Sequence, residues 1–184
     1  MSRLNLKDFS SNEAKVKYAC ARQAVTMSKE RPAEVYPDFD FFARLLDSAN
    51  NVIKWTAIQV VGNLSKVDEQ GRVDKLIPQL IGFLNCGRLI TAGNAILALS
   101  EVAFNKPAYL DRIADELLRV EGYTYNTPEC GNIAIGLVLS ALMKLDGVWG
   151  KGEVLSFVER QTRNPRPATR KKAQSALRRM ARNR

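Results

Sequence analysis

Ile53-Lys54-Trp55-Thr56-Ala57-Ile58-Gln59-Val60-Val61-Gly62-Asn63-Leu64 is the stretch whose reading decides the fold class. Its apolar residues Ile53, Ala57, Val60, Val61 and Leu64 fall at i, i+4, i+7, i+8 and i+11. That spacing makes one stripe along an α-helix, because side chains three and four residues apart share a face. Ala57 lies mid-stripe, where a small side chain lets a second helix come close. Comparable helices recur along the chain. Aligned on their central small residues Cys20, Ala57, Ala95, Ala134 and Ala173, they stand 37, 38, 39 and 39 residues apart. A period in this range marks stacked helical hairpins, each with an apolar face that only a neighbour can cover.

Outward from that stretch, Ser10 and Glu13 have capping-box spacing and predict a helix to about Ser28. Residues 30–37, with Pro32 and Pro37, read as a connection. Further helices are predicted over 38–46, 53–66, 72–84, 89–104, 108–120, 129–145, 153–162 and 168–182, with Pro78 kinking or starting the one that contains it. Residues 121–128 form the longest loop and carry Tyr123 and Tyr125, while Trp149 sits in a glycine-rich turn. These aromatics either pack on the adjacent hairpin or offer contacts to a partner. Strand pairs with hairpin turns are absent. The expected architecture is all-α, a right-handed αα superhelix of four to five hairpins. It forms one domain over residues 1–184, with approximate repeats 10–30, 38–66, 72–104, 108–145 and 153–182.

Composition narrows the chemistry. At 46% hydrophobic and 26% charged, the 184 residues read as a globular chain with a sizeable core. No apolar run reaches the roughly 18 residues of a membrane span. The start Met1-Ser2-Arg3-Leu4-Asn5-Leu6-Lys7 lacks the apolar core of a secretory signal, so a cytoplasmic location is expected. Cys20, Cys86 and Cys130 form no C-x-x-C pair and read as small buried residues in a reducing compartment. The chain has no histidine, which removes histidine-based nucleophile systems and histidine metal sites. Gly-rich phosphate loops are also missing. No catalytic residue, cofactor or metal site is expected. Net charge is +9, unevenly placed: residues 1–159 hold eighteen basic and nineteen acidic residues, and the last 25 hold ten basic residues and no acid. Those ten are Arg160, Arg163, Arg166, Arg170, Lys171, Lys172, Arg178, Arg179, Arg182 and Arg184.

The repeated helix resembles the second helix of HEAT repeats, roughly V-R-x-x-A-x-x-A-L-G-x-L. Ile53-Lys54, Ala57, Val60-Val61-Gly62 and Leu64 match it in turn. Thr169-Arg170, Ala173, Ala176-Leu177 and Met180 match with Arg178 in place of the glycine, and Ala95 with Ala98-Leu99-Ser100 and Val102 matches in part. Ala134 with Leu137-Val138 is a weaker match, with Gly131 where the family has arginine. Pro78 with Leu80, Phe83 and Leu84 is similar to the family's proline-containing first helix. The resemblance covers about residues 12–182 and implies an armadillo-type solenoid that binds or scaffolds other molecules, as in small bacterial HEAT-repeat proteins of no assigned function. It also implies that second helices line the concave side.

Carrying the register opposite the core stripe through the repeats predicts that concave surface. It comprises Tyr18, Arg22, Val25 and Lys29; Trp55, Gln59, Gly62 and Lys66; Gly93, Leu97, Ser100 and Phe104; Asn132, Gly136, Leu139 and Met143; and Lys171, Ser175, Arg178 and Arg182. Trp55, Leu97 and Leu139 either anchor a peptide or helix in a groove or pack between tightly curved repeats. Arg163, Arg166, Arg170, Lys171, Arg178 and Arg182 either contact the phosphates of a nucleic acid, face an acidic protein, or simply cap the last repeat. The expected function is a non-catalytic protein- or peptide-binding module using Trp55, Gln59 and the basic C-terminal end. Nucleic-acid binding is the alternative, and no membrane is involved. HEAT-like DNA glycosylases are a remote third comparison, because the inner register holds no Asp or Glu. Asp38, Asp40, Asp111, Asp115 and Glu116 fall instead on first helices. HEAT-like phycobilin lyases are a further analogy that no particular residue supports.

Overall fold

The computed structural model describes residues 4–182; Met1, Ser2 and Arg3 of the leader reading, and Arg184 of the basic count, lie outside them. Among the described residues there are ten α-helices and no strand. They are α1 Ala14–Glu30, α2 Pro32–Val35, α3 Phe39–Leu45, α4 Asn51–Leu64, α5 Ile77–Gly82, α6 Leu89–Asn105, α7 Leu110–Leu118, α8 Pro128–Leu142, α9 Gly152–Gln161 and α10 Pro167–Arg182. Four hairpins, α3/α4, α5/α6, α7/α8 and α9/α10, follow the unpaired α1 in a right-handed superhelix. The longer helices α1, α4, α6, α8 and α10 pack one against the next in an inner layer. The shorter α3, α5, α7 and α9 lie behind them and touch one another far less, which curves the stack toward the inner layer.

Local chemistry sets the helix starts. Pro32, Pro78 and Pro128 stand in the first two positions of α2, α5 and α8, where a missing N–H costs nothing, and Pro167 opens α10. Pro78 therefore starts a helix instead of kinking one. The Asn50 side chain accepts from the N–H groups of Val52 (3.0 Å) and Ile53 (3.3 Å), capping α4. Three expectations need correction. Ser10 does not cap α1. It closes a 3-10 turn, Leu6–Ser10, that is anchored by Phe9 stacking edge-on against Phe41 and Phe42, and α1 starts without a side-chain cap. Residues 30–37 are mostly helical (α2, then a 3-10 turn Tyr36–Asp38), because Pro32 and Pro37 preset the helical φ at each start. Cys20 alone is a buried cysteine; Cys130 is half-buried, and Cys86 is exposed in the turn that ends at Gly87 (φ 72°).

Small residues set the spacing of the inner layer. A Cβ on Gly62 of α4 would lie 2.7 Å from the Ala98 Cα of α6. On Gly136 of α8 it would lie 2.8 Å from Thr169 Oγ1 of α10, and on Gly93 of α6 3.0 Å from Leu137 Cδ1 of α8. The helix ends are stitched by polar contacts. Asn63 Nδ2 donates to Ser28 Oγ, and Asn105 Nδ2 to Ser65 Oγ, both at 2.9 Å.

A charged cluster ties the turns of three successive repeats. The fully buried Asp68 carboxylate accepts from the Tyr36 hydroxyl and from the N–H groups of Arg72 (2.8 Å) and Val73 (2.9 Å). Lys106 Nζ lies 2.9 Å from Asp68 Oδ2 and 2.7 Å from Asp74 Oδ1, the latter an ion pair and not an aligned hydrogen bond. Burial raises the Asp68 pKa, but Lys106, Tyr36 and the two N–H groups outweigh it, so the carboxyl titrates below its ordinary value. Burial likewise lowers Lys106, and the two aspartates more than reverse it.

Gly62→Ala destabilises the chain by about 1–3 kcal/mol in urea unfolding, as overpacking does, because backbone faces the new methyl. Gly82→Ala, with no atom within 4 Å of the new Cβ, is neutral or stabilising by up to about 1 kcal/mol. Asp68→Ala, which strands Lys106, costs about 3–5 kcal/mol. Because the folded pKa of Asp68 is depressed, its contribution is whole above the unfolded value of about 3.9 and is lost as pH falls through the folded value. Unfolding free energy measured between about pH 5 and pH 2 falls less steeply in Asp68→Asn than in the parent chain.

Candidate functional site

α4 begins at its Asn50 cap and presents Val52, Trp55, Thr56 and Gln59 toward α1, which answers with Tyr18, Ala21, Arg22, Val25 and Thr26. Together with Asn94 of α6 these residues line an open cavity of about 400 Å³. Trp55 is half-buried in its wall, its Nε1 donating to Thr91 Oγ1 at 2.9 Å. Gln59 Nε2 donates to Asn94 Oδ1 at 2.7 Å, and Asn94 Nδ2 donates to the Ile90 carbonyl at 2.8 Å. Both polar groups are thus hydrogen-bonded to α6.

Next to that cavity, α6 exposes Ile90 (57%), Leu97 (42%) and Phe104 (65%). Residues 90, 97 and 104 are seven apart, so they form one stripe on the face turned away from the core. With Val52 at 36% they are the exposed large apolar side chains among the described residues. Charge is nearly absent along this stripe: Glu101 is the acid on α6, with its carboxylate 3.7 Å from Lys144 Nζ.

Parts of the expected concave register are closed. Gly62, Ser100 and Leu139 are buried between adjacent inner helices, as are Gly93 and Gly136. These positions point along the layer into the next helix, because the spacing is too close for them to face outward. Leu97 opens to solvent and Trp55 does so in part, so neither the groove reading nor the packing reading describes the whole row. Val52, Ile90 and Asn94 were absent from the sequence reading. The seven-residue spacing of Ile90, Leu97 and Phe104 was the signal that could have added Ile90.

The basic C-terminal end divides in two. Arg166 Nε pairs with Glu129 Oε1 at 2.7 Å, and Arg170 donates to the Asn164 carbonyl at 2.8 Å. Lys172 Nζ donates to the Gly136 carbonyl (3.0 Å) and Ser140 Oγ (2.8 Å), and its pKa is lowered by burial and then by the Arg166 charge. Arg179 donates to the Met143 carbonyl at 3.1 Å and stacks 4.2 Å from the Trp149 ring centroid. Arg166, Lys172 and Arg179 dock this last segment on its neighbours, and Arg170 ties α10 to the turn before it. Arg163, Lys171, Arg178 and Arg182 are exposed, without a side-chain hydrogen bond or ion pair among the described residues. Residues 171, 178 and 182 share one helical face, seven and eleven residues apart. Arg163 lies on another side, beside Leu177. The structure therefore brings Trp55 and Gln59 together and aligns three of the six basic candidates.

The remaining aromatics turn inward. Tyr125 donates to the Leu84 carbonyl at 2.7 Å, and burial lifts its pKa to about 12. Trp149 Nε1 donates to the Leu142 carbonyl at 2.9 Å. Among the described residues no three His, Cys, Asp or Glu side chains are grouped to hold a metal, and no helix is long and apolar enough to cross a membrane.

No protein-family model and no curated protein matches the chain. Solved structures with a similar fold do. A computationally designed armadillo repeat protein for modular peptide recognition superposes at TM-score 0.57 with 15% identity, over 94% of this chain and 79% of that one. An engineered protein superposes at TM-score 0.51 with 14% identity, over 96% of this chain and 95% of the other. At these identities the likeness is one of fold alone: a helical solenoid similar in shape to designed armadillo repeats.

Side chains on opposite faces of α6 should respond differently to truncation. Leu97→Ser and Phe104→Ser leave unfolding free energy within about 0.5 kcal/mol of the parent. Leu99→Ala, on the fully buried face, lowers it by about 2–5 kcal/mol, read from the urea midpoint.

Proposed function

We propose that this chain is a non-catalytic, HEAT-like binding and scaffold module that docks a protein or peptide segment on its inner helix layer. The observation that carries this reading is the open apolar row of α6, Ile90, Leu97 and Phe104, beside the cavity walled by Trp55. Water-exposed leucine, isoleucine and phenylalanine aligned on one face, with a concave pocket beside them, is the arrangement that apolar anchors of a partner fill. Trp55 Nε1 and Gln59 Nε2 are already hydrogen-bonded within the protein, so docking over them would bury apolar surface without stranding those two donors. The similar designed armadillo protein, made for peptide recognition, lends support through its shape alone. An interaction module also accords with the absence of histidine and the lack of a carboxylate cluster in the cavity.

Nucleic-acid binding is the second reading, favoured by the unpaired face of Lys171, Arg178 and Arg182. Two measurements separate the readings. In a selection of displayed random peptides against the immobilised chain, docking on the inner layer enriches peptides that no longer bind the Leu97→Ser, Phe104→Ser double variant. Anisotropy of labelled duplex DNA and single-stranded RNA is measured at low and near-physiological salt. Weak binding, lost at the higher salt, supports the docking reading. Binding that persists there and vanishes when Lys171, Arg178 and Arg182 are changed to Glu replaces it with the second reading.

A further inference from the structure

The charges of this protein are segregated by layer. The five inner helices carry eleven Lys and Arg against three Asp and Glu, which leaves seventeen basic and sixteen acidic residues for the rest of the chain. Within the inner layer the basic residues are again split. α1 holds Lys15, Lys17, Arg22 and Lys29, and α10 holds six, of which Lys171, Arg178 and Arg182 are exposed and unpaired. α6 and α8 hold no basic residue; Lys66 is exposed in the turn after α4, and Lys144, just after α8, is paired with Glu101 of α6. The one lysine of α4, Lys54, is turned back over the Phe83 ring at 5.9 Å. The inner layer thus has two cationic ends and a charge-poor centre, and the exposed apolar row and the Trp55 cavity lie in or beside that centre. Arg22 itself is exposed and lines the cavity.

From this distribution we infer that the occupant of the inner layer is an extended polypeptide segment with acidic residues at both ends and aromatic or large aliphatic residues in its middle. The inference rests on the docking reading above and specifies its partner. Its acidic ends meet Arg22 and Lys29 on α1 and, on α10, Arg182, which holds the register of Phe104, with Lys171 and Arg178 beside it at the end of the layer. An apolar side chain of its centre enters the cavity beside Trp55, and others cover Leu97 and Phe104. Five helices packed about 8–10 Å apart give a track of about 40 Å, the reach of about twelve extended residues. A continuous polyanion fits the track less well. Its middle charges would lie for two helix widths, about 20 Å, over leucine and phenylalanine, where the cation at hand, Lys144, is already paired with Glu101.

The test uses the full chain and a displayed library of random peptides about twelve residues long. The enriched sequences are expected to concentrate Asp and Glu near both ends and aromatic or aliphatic residues between. A synthetic peptide of the enriched sequence, fluorescein-labelled, is expected to lose affinity at least about tenfold on Arg22→Glu, Arg178→Glu chain, and to weaken further on adding Leu97→Ser. All three side chains are exposed, and an unchanged melting curve shows that each variant folds. Enriched peptides that are uncharged or basic, or acidic peptides indifferent to the charge reversal, overturn the inference. If such peptides still depend on Leu97 and Phe104, the docking reading survives that failure. A selection that enriches nothing overturns both, as does displacement of bound peptide by single-stranded DNA near physiological salt.

Discussion

The close approach of consecutive inner helices is the constraint on which the rest of the structure depends. At Gly62 against Ala98, and at Gly136 against Thr169, there is no room for one more carbon atom. An outer layer without such approach, set behind an inner layer with it, bends the stack, and the bend makes the inner surface a concave track. The same closeness decides which side chains reach that track. Residues that point along the layer, such as Ser100 and Leu139, are sealed by the next helix. Those one step round the helix, such as Leu97, stay open. Curvature and the composition of the surface are therefore two results of one packing choice.

Electrostatics secures the seams that apolar packing leaves at the helix ends. Turns cannot bury a stripe, so their backbone groups need partners, and Asp68 supplies them by gathering two N–H groups, a phenol and an ammonium from three repeats. Glu121 does similar work farther along, accepting from Arg160 Nη2 at 2.7 Å and Gln161 Nε2 at 2.6 Å. Part of the excess positive charge of the last repeat is spent the same way. Arg166, Lys172 and Arg179 hold α10 to its neighbours, Arg170 holds it to the preceding turn, and the exposed remainder gives the end of the track its sign.

Legibility in the sequence followed the range of the interaction. The helix of Trp55 and its repeats were readable because a core stripe is a local pattern with a fixed period. The capping box at Ser10 misled, since the contact of Phe9 with Phe41 and Phe42, more than thirty residues away, governs that segment. The concave register was right at Trp55, Gln59, Leu97 and Phe104 as positions reaching the inner surface, and wrong at Gly62 and Leu139, which the neighbouring helix covers. Among the basic candidates, nothing local distinguishes Arg170, bound to carbonyls in the preceding turn, from Lys171, which is free. Whether any of these residues binds a partner is a question about a second molecule, which neither the periodicity nor the packing addresses.

By itself the sequence determined the helical class, the interval of the hairpins and the lopsided charge. Each of these depends on residues close together in the chain or on simple totals. Only the tertiary structure decided which faces of those helices stay open, which cations are consumed by carbonyls and carboxylates, and where the apolar row meets the cavity. Those outcomes turn on distances of an ångström or less between helices about forty residues apart, as at Gly62 and Ala98, and a one-dimensional pattern holds no such distance.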